Sequence, residues 1–163
     1  SLDAWALVVA GVLYVGFSLS HTIYLRALDR GLQWTATALV GTWTCDTGAY
    51  LVGSHLGGRP FFPQISPRKT LEGAAGGVIV GTVGVAALAA LVGLPLGWGR
   101  GALLGLAISV AATFGDLAES VIKRQLGVKD TGRLIPGHGG ALDRVDSLLF
   151  VLPTVYYLAL AFT

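Results

Sequence analysis

Residues 73–92 read GAAGGVIVGTVGVAALAALV, a run of 20 residues with no charge and with glycine at 73, 77 and 81. A helix needs about 20 predominantly apolar residues, rising 1.5 Å each, to cross the hydrocarbon core of a bilayer. Glycines four apart share one helix face, and a smooth face lets a second helix approach closely. Outward from this run, further uncharged stretches predict spans at 4–25, 34–53, 102 to about 119, and 147–163, the second holding one acid, Asp46. The expectation is an all-α integral membrane protein of about five transmembrane helices, with residues 1–163 as a single domain.

Composition excludes the alternatives. Of 163 residues 53% are hydrophobic and only 12% charged, against about 25% charged in an average soluble domain. The single cysteine, Cys45, rules out a disulfide scaffold. A net charge of +2 is too small for a nucleic-acid binder. Ser1-Leu2-Asp3 offers no basic region for a secretory signal. Loops 54–72 and 120–146 carry eight Lys and Arg, against three in the loops around 26–33 and 94–100. The positive-inside rule then places the first pair in the cytoplasm, with the N-terminus, and the C-terminus outside. The glycine stripe would serve either internal packing or a homodimer.

An ionisable group inside a membrane span is costly and marks a functional site or a buried pair. Asp46 lies about 10 Å from the predicted cytoplasmic end of its helix. At the end of the fourth span Asp116, Glu119, Ser120 and Lys123 share one helix face, with Glu119–Lys123 also readable as a simple i,i+4 pair. Residues 127–140, GVKDTGRLIPGHGG, predict a loop. Its glycines let backbone N–H groups converge on an anion, and its basic residues supply matching charge. Asp143 and Asp146 then stand three apart at the start of the last span, where the helix dipole alone would explain either one.

Acids at membrane-boundary helix ends around a basic glycine-rich loop suit hard divalent cations and phosphates. Mg²⁺ commonly binds through one or two carboxylates, substrate phosphates and water. Zinc is disfavoured, because His21, His55 and His138 are scattered beside one cysteine, and His21 and His55 read as structural. The chemistry that fits is phosphoryl or nucleotidyl transfer at a membrane surface.

The stretch 120–146, SVIKRQLGVKDTGRLIPGHGGALDRVD, resembles the signature of the phosphatidate cytidylyltransferases, the CDP-diacylglycerol synthases. The matching positions include Ser120, Lys123, Arg124, Lys129, Asp130, Pro136, His138, Gly139, Gly140, Asp143, Arg144 and Asp146. Asp46-Thr47-Gly48-Ala49-Tyr50 and the stretch from Ser66 to Gly73 resemble two further parts of that family. The resemblance implies a carboxy-terminal catalytic portion without the upstream helices of longer relatives. It implies that CTP and phosphatidic acid give CDP-diacylglycerol and pyrophosphate, with Mg²⁺ alone or with a second cation. Asp116 and Asp146, then Asp143, are the implied metal ligands, and Asp46 and Lys123 join them as catalytic residues. Lys69, Lys123, Arg124 and Lys129 would bind CTP or lipid phosphates, and His138 would orient a phosphate. Ser66, Arg68, Thr70, Ser120 and Arg144 complete the implied substrate contacts. The implied setting is a bacterial inner membrane with the site on its cytoplasmic face, among membrane lipids.

Two rivals remain at this point: a CDP-archaeol synthase-like enzyme acting on another lipid phosphate, and a non-enzymatic transporter or interaction module. The Pro136–Gly140 stretch favours the diacylglycerol branch, and a transporter would not require the 129–140 loop. A CDP-alcohol phosphotransferase is excluded, since Asp143-Arg144-Val145-Asp146 is followed by Ser147 where that class has glycine.

Overall fold

A computed structural model describes residues 1–128 and 142–162. Its helices are α1 (Leu2–Ala27), α2 (Gly31–Leu56), α3 (Leu71–Leu91), α4 (Gly97–Gln125) and α5 (Leu142–Phe162). Between α2 and α3 lies an antiparallel hairpin, β1 (Pro60–Phe62) and β2 (Ser66–Thr70), pairing Pro60 with Thr70 and Phe62 with Ser66. The protein is an all-α membrane protein, and the hairpin replaces what the sequence predicts as plain loop.

Among the described residues, four helices are long and apolar enough to cross a membrane: α1, α3, α4 and α5. The fifth expected span, within α2, has the length, at 26 residues, but five threonines between 35 and 47 and Asp46 dilute its hydropathy. The structure supplies the reason this is tolerated. Helix α2 touches all four other helices, and the hydroxyls of Thr35, Thr42 and Thr44 donate to the carbonyls of Gly31, Ala38 and Val40. Back-bonding of this kind satisfies a hydroxyl where no water reaches.

The glycine stripe serves internal packing. Helices α2 and α3 run antiparallel, and a methyl group placed on Gly41 would lie 2.8 Å from Val85, on Gly77 2.9 Å from Ala49, and on Gly53 3.3 Å from Gly73. Gly81 faces Cys45 in the same row. A second row alternates: Gly84 receives Thr44, Gly48 receives Val80, and Gly76 receives Val52. Without a hydrophobic driving force inside lipid, such close packing is what holds two helices together. Helix α4 repeats the device against α3, with Gly101 on Ala86 and Gly105 on Thr82. Helix α1 lies parallel to α5, with Tyr14 on Phe150 and Tyr24 on Tyr156. Buried His21 packs among Phe17, Tyr24, Tyr156 and Tyr157 with Nδ1 2.8 Å from the Phe17 carbonyl oxygen, a structural position.

The five helices therefore alternate in direction and the bundle has two distinct ends. One gathers the connections after α1 and α3. There the Arg30 guanidinium donates to the Gly93 carbonyl, and Arg100 donates to the Phe162 carbonyl at 3.0 Å. The other gathers the C-terminus of α2, the hairpin, the start of α3, the end of α4 and the start of α5. Helix α4 runs to Gln125, beyond the predicted end near 119, so Ser120, Lys123 and Arg124 stay helical.

Candidate active site

Every acid singled out in the sequence and placed by the structure lies at the second end. Gly115 explains how α4 and α5 meet there: a methyl group on it would sit 2.8 Å from the Asp146 carbonyl oxygen and 2.8 Å from Ser147 Cα. The absent side chain lets the first turn of α5 rest on α4 backbone. Asp116, Glu119 and Asp146 each then place a carboxylate oxygen within 4.8 Å of the others. Three carboxylates so close repel one another and are costly to desolvate. Glu119 is buried, at 4% exposure, and its Oε1 has no hydrogen-bond partner among the described residues. An all-oxygen donor set with one buried, unpartnered oxygen fits a hard divalent cation.

Basic residues reach this cluster from two sides. Lys123 Nζ lies 2.6 Å from Glu119 Oε2 and 2.9 Å from Asp143 Oδ1, tying α5 to α4. Asp143, a predicted metal ligand, is thus held by Lys123, and Glu119 takes its place in the converging trio. The reason is the helical step: Asp143 starts α5 about one turn before Asp146, opposite Lys123, whereas Glu119 lies about one turn beyond Asp116 on α4. From the hairpin, Lys69 forms an ion pair with Asp116. Asp146 is fixed from its own helix, its Oδ1 accepting from the Ser147 N–H at 2.6 Å.

Beside the trio a cavity of about 450 Å³ descends between α2, α3, α4 and the hairpin. Arg68, Lys69 and Thr70 of the hairpin stand with Asp116 at its mouth, and its walls and floor are small and apolar, with Ala49, Gly73, Ala74, Gly77 and Ala112. Asp46 also lines it, one residue from Cys45. At its base Cys45 Sγ and Ser109 Oγ are 3.0 Å apart, and Ser109 also donates to the Gly105 carbonyl. Thr70 has a structural task as well, since its hydroxyl accepts from the Gly73 N–H and caps α3. Glu72 Oε2 accepts from the Gly58 and Arg59 N–H groups, each at 3.1 Å, and Arg124 Nε donates to the Ile65 carbonyl at 3.2 Å. These contacts pin the hairpin at both base and turn. Ser66 opens β2 and Ser120 is half-buried on α4. Lys129, His138 and the Arg144 side chain lie outside the described residues.

The structure thus brings together Asp46, Asp116, Asp146, Arg68, Lys69 and Thr70, and adds Glu119, Tyr50, Ser54, Ser109 and Thr113, which the sequence reading does not select. A signal existed for some: Ser109, Thr113 and Asp116 stand at i, i+4 and i+7 on α4.

A family model described as the cytidylyltransferase family matches residues 1–162. The chain belongs to that family. It is 41% identical over 164 residues to a phosphatidate cytidylyltransferase of Bacillus subtilis (strain 168), an alignment covering 100% of this chain and 61% of the relative. A phosphatidate cytidylyltransferase of Brucella suis is 44% identical over 149 residues, covering 90% of the chain and 54% of the relative. One of Synechocystis is 48% identical over 131 residues, covering 78% and 43%. The chain therefore spans about half the length of these curated relatives, and the family match includes every element around the carboxylates.

Proposed function

We propose that residues 1–163 form one transmembrane catalytic unit of a CTP:phosphatidate cytidylyltransferase, which makes CDP-diacylglycerol and pyrophosphate. The observation that supports it best is the convergence of Asp116, Glu119 and Asp146 beside a cavity whose mouth carries Arg68 and Lys69 and whose floor is apolar. In the reaction an oxygen of the lipid phosphate attacks the α-phosphorus of CTP, and pyrophosphate leaves in line. The nucleophile is already an anion, so no strong general base is required. The task is to bring two anions together and hold them in line.

The chain's residues divide that task. Arg68 and Lys69 at the cavity mouth offer cations to a phosphate, Arg68 as a planar fork and Lys69 as a point charge. The small floor residues leave room for an apolar segment next to the headgroup. Lys123 holds Glu119 and Asp143 so that α4 and α5 keep their spacing. Asp116, Glu119 and Asp146 would hold Mg²⁺, which when bound supplies positive charge for the phosphates and for the leaving pyrophosphate.

The test is pyrophosphate release from CTP by membranes carrying the chain, with and without phosphatidic acid and with Mg²⁺ or a chelator. Release that requires both CTP and phosphatidic acid supports the proposal; none, with the chain shown to be folded, refutes it for this portion. We assign the site to the cytoplasmic face of a bacterial inner membrane, because Arg59, Arg68, Lys69, Lys123 and Arg124 lie at its end of the bundle. In sealed right-side-out vesicles an impermeant thiol reagent should reach Pro95→Cys and spare Ser66→Cys. The reverse pattern inverts the topology.

A further inference from the structure

The two lysines at the site are held differently, and the difference points to separate roles. Lys123 contacts two carboxylates, Glu119 at 5% and Asp143 at 11% side-chain exposure, and is itself 20% exposed. Among the described residues Lys69 forms its ion pair with Asp116, with side chains 30% and 35% exposed. Asp116 is also a member of the carboxylate trio, so the ammonium and any cation held there compete for one carboxylate. The backbone under Lys69 is anchored by the Thr70 cap and by the Glu72 and Arg124 contacts. A change of partner therefore needs only rotation along the flexible lysine stem. Lys69 and Arg68 both line the cavity mouth, so an ammonium leaving Asp116 remains beside the space where a phosphate would enter.

We propose that Lys69 is an exchangeable stand-in for the divalent cation. In the cation-free chain its ammonium neutralises Asp116. A divalent cation entering the trio displaces it, and the released ammonium serves as a phosphate ligand at the cavity mouth. The order of events follows: the cation must bind before Lys69 can engage substrate. This inference rests on the proposed cation site and adds an exchange step to it.

The experiment uses the purified chain in detergent and Mn²⁺ as the probe, its free concentration read by electron paramagnetic resonance. Lys69→Met is expected to bind Mn²⁺ about two- to fivefold more tightly than wild type, the range for a part-exposed ion pair. Equal or weaker binding overturns the exchange. If wild type binds no Mn²⁺, the cation site itself fails, a result distinct from failure of the exchange. A second measurement needs no variant. Acylation of Lys69 by an N-hydroxysuccinimide ester, followed by mass spectrometry with an added lysine-containing peptide as reference, should speed up several-fold when Mn²⁺ is added to wild type. A lysine that merely lies near the cation would keep its partner, and an unchanged ratio of Lys69 to the reference peptide overturns the proposal.

Discussion

The two ends of the bundle use positive charge in opposite ways. At the end without the cavity, Arg30 and Arg100 reach backbone carbonyls at helix C-termini, those of Gly93 and Phe162, and Arg100 also lies 5.7 Å over the Phe162 ring. Helix C-termini carry partial negative charge and orphan carbonyls, so each arginine completes a terminus. At the cavity end Lys69 and Lys123 reach side-chain carboxylates instead, those of Asp116, Glu119 and Asp143, and Asp146 completes a close group of acids. One end uses its cations to finish helix termini, and the other sets them against a close group of carboxylates. Carboxylates gathered this closely around buried Glu119 are hard to justify by stability alone.

That contrast can be broken by substitution. The largest effect is expected from Asp146→Asn or Asp116→Asn, either of which should lower pyrophosphate release about 100-fold or more while the protein still elutes as one folded species. Near-normal turnover in either variant would show that the group of acids is not catalytic. Lys123→Met leaves two nearly buried carboxylates without their partner and should cost about 3 kcal/mol, read as a lower melting temperature in detergent. An unchanged melting temperature would make the cavity end as forgiving as a surface. Gly115→Ala forces a methyl group against the Asp146 carbonyl and Ser147. It should cost about 1–3 kcal/mol and weaken Mn²⁺ binding, because α5 must move away from Asp116; unaltered Mn²⁺ affinity would detach the trio from that helix contact. Arg100→Ala should be the mildest, within about 1 kcal/mol and with turnover unaltered, and a clear loss of turnover would erase the distinction between the ends.

How much of this is legible in the sequence depends on how local each signal is. Uncharged runs near 20 residues announce membrane helices without knowledge of any partner, so α1, α3, α4 and α5 stand out. Helix α2 is legible in position, yet its threonines mask how apolar its surroundings are, since their hydroxyls are satisfied within the helix itself. The hairpin is invisible because Pro60, Pro63 and Pro67 read as loop, and its strands are pinned by the distant Arg124 and by Glu72. Asp116 and Asp146 are visible as acids at membrane boundaries. Glu119 hides behind its spacing to Lys123, a pairing that is real and yet occupies only Oε2. That Asp143 meets Lys123 while Glu119 joins Asp116 and Asp146 depends on how α5 sits on Gly115, which no spacing along the chain encodes.

The second row of the α2–α3 seam works as a code for alignment. A uniform ladder of glycines could slide by one helical turn and mesh again, because every rung looks like the next. The alternation of Thr44, Gly48 and Val52 against Gly84, Val80 and Gly76 forbids that: a one-turn slip would set bulk against bulk at one rung and open a void at the next. Such a slip would carry Asp46 about 6 Å along the bundle axis and drag the hairpin with it. Only one alignment of the two helices satisfies every rung, and it is the one that keeps Cys45 beside Ser109 and Asp46 in the wall of the cavity that Lys69 and Asp116 also line.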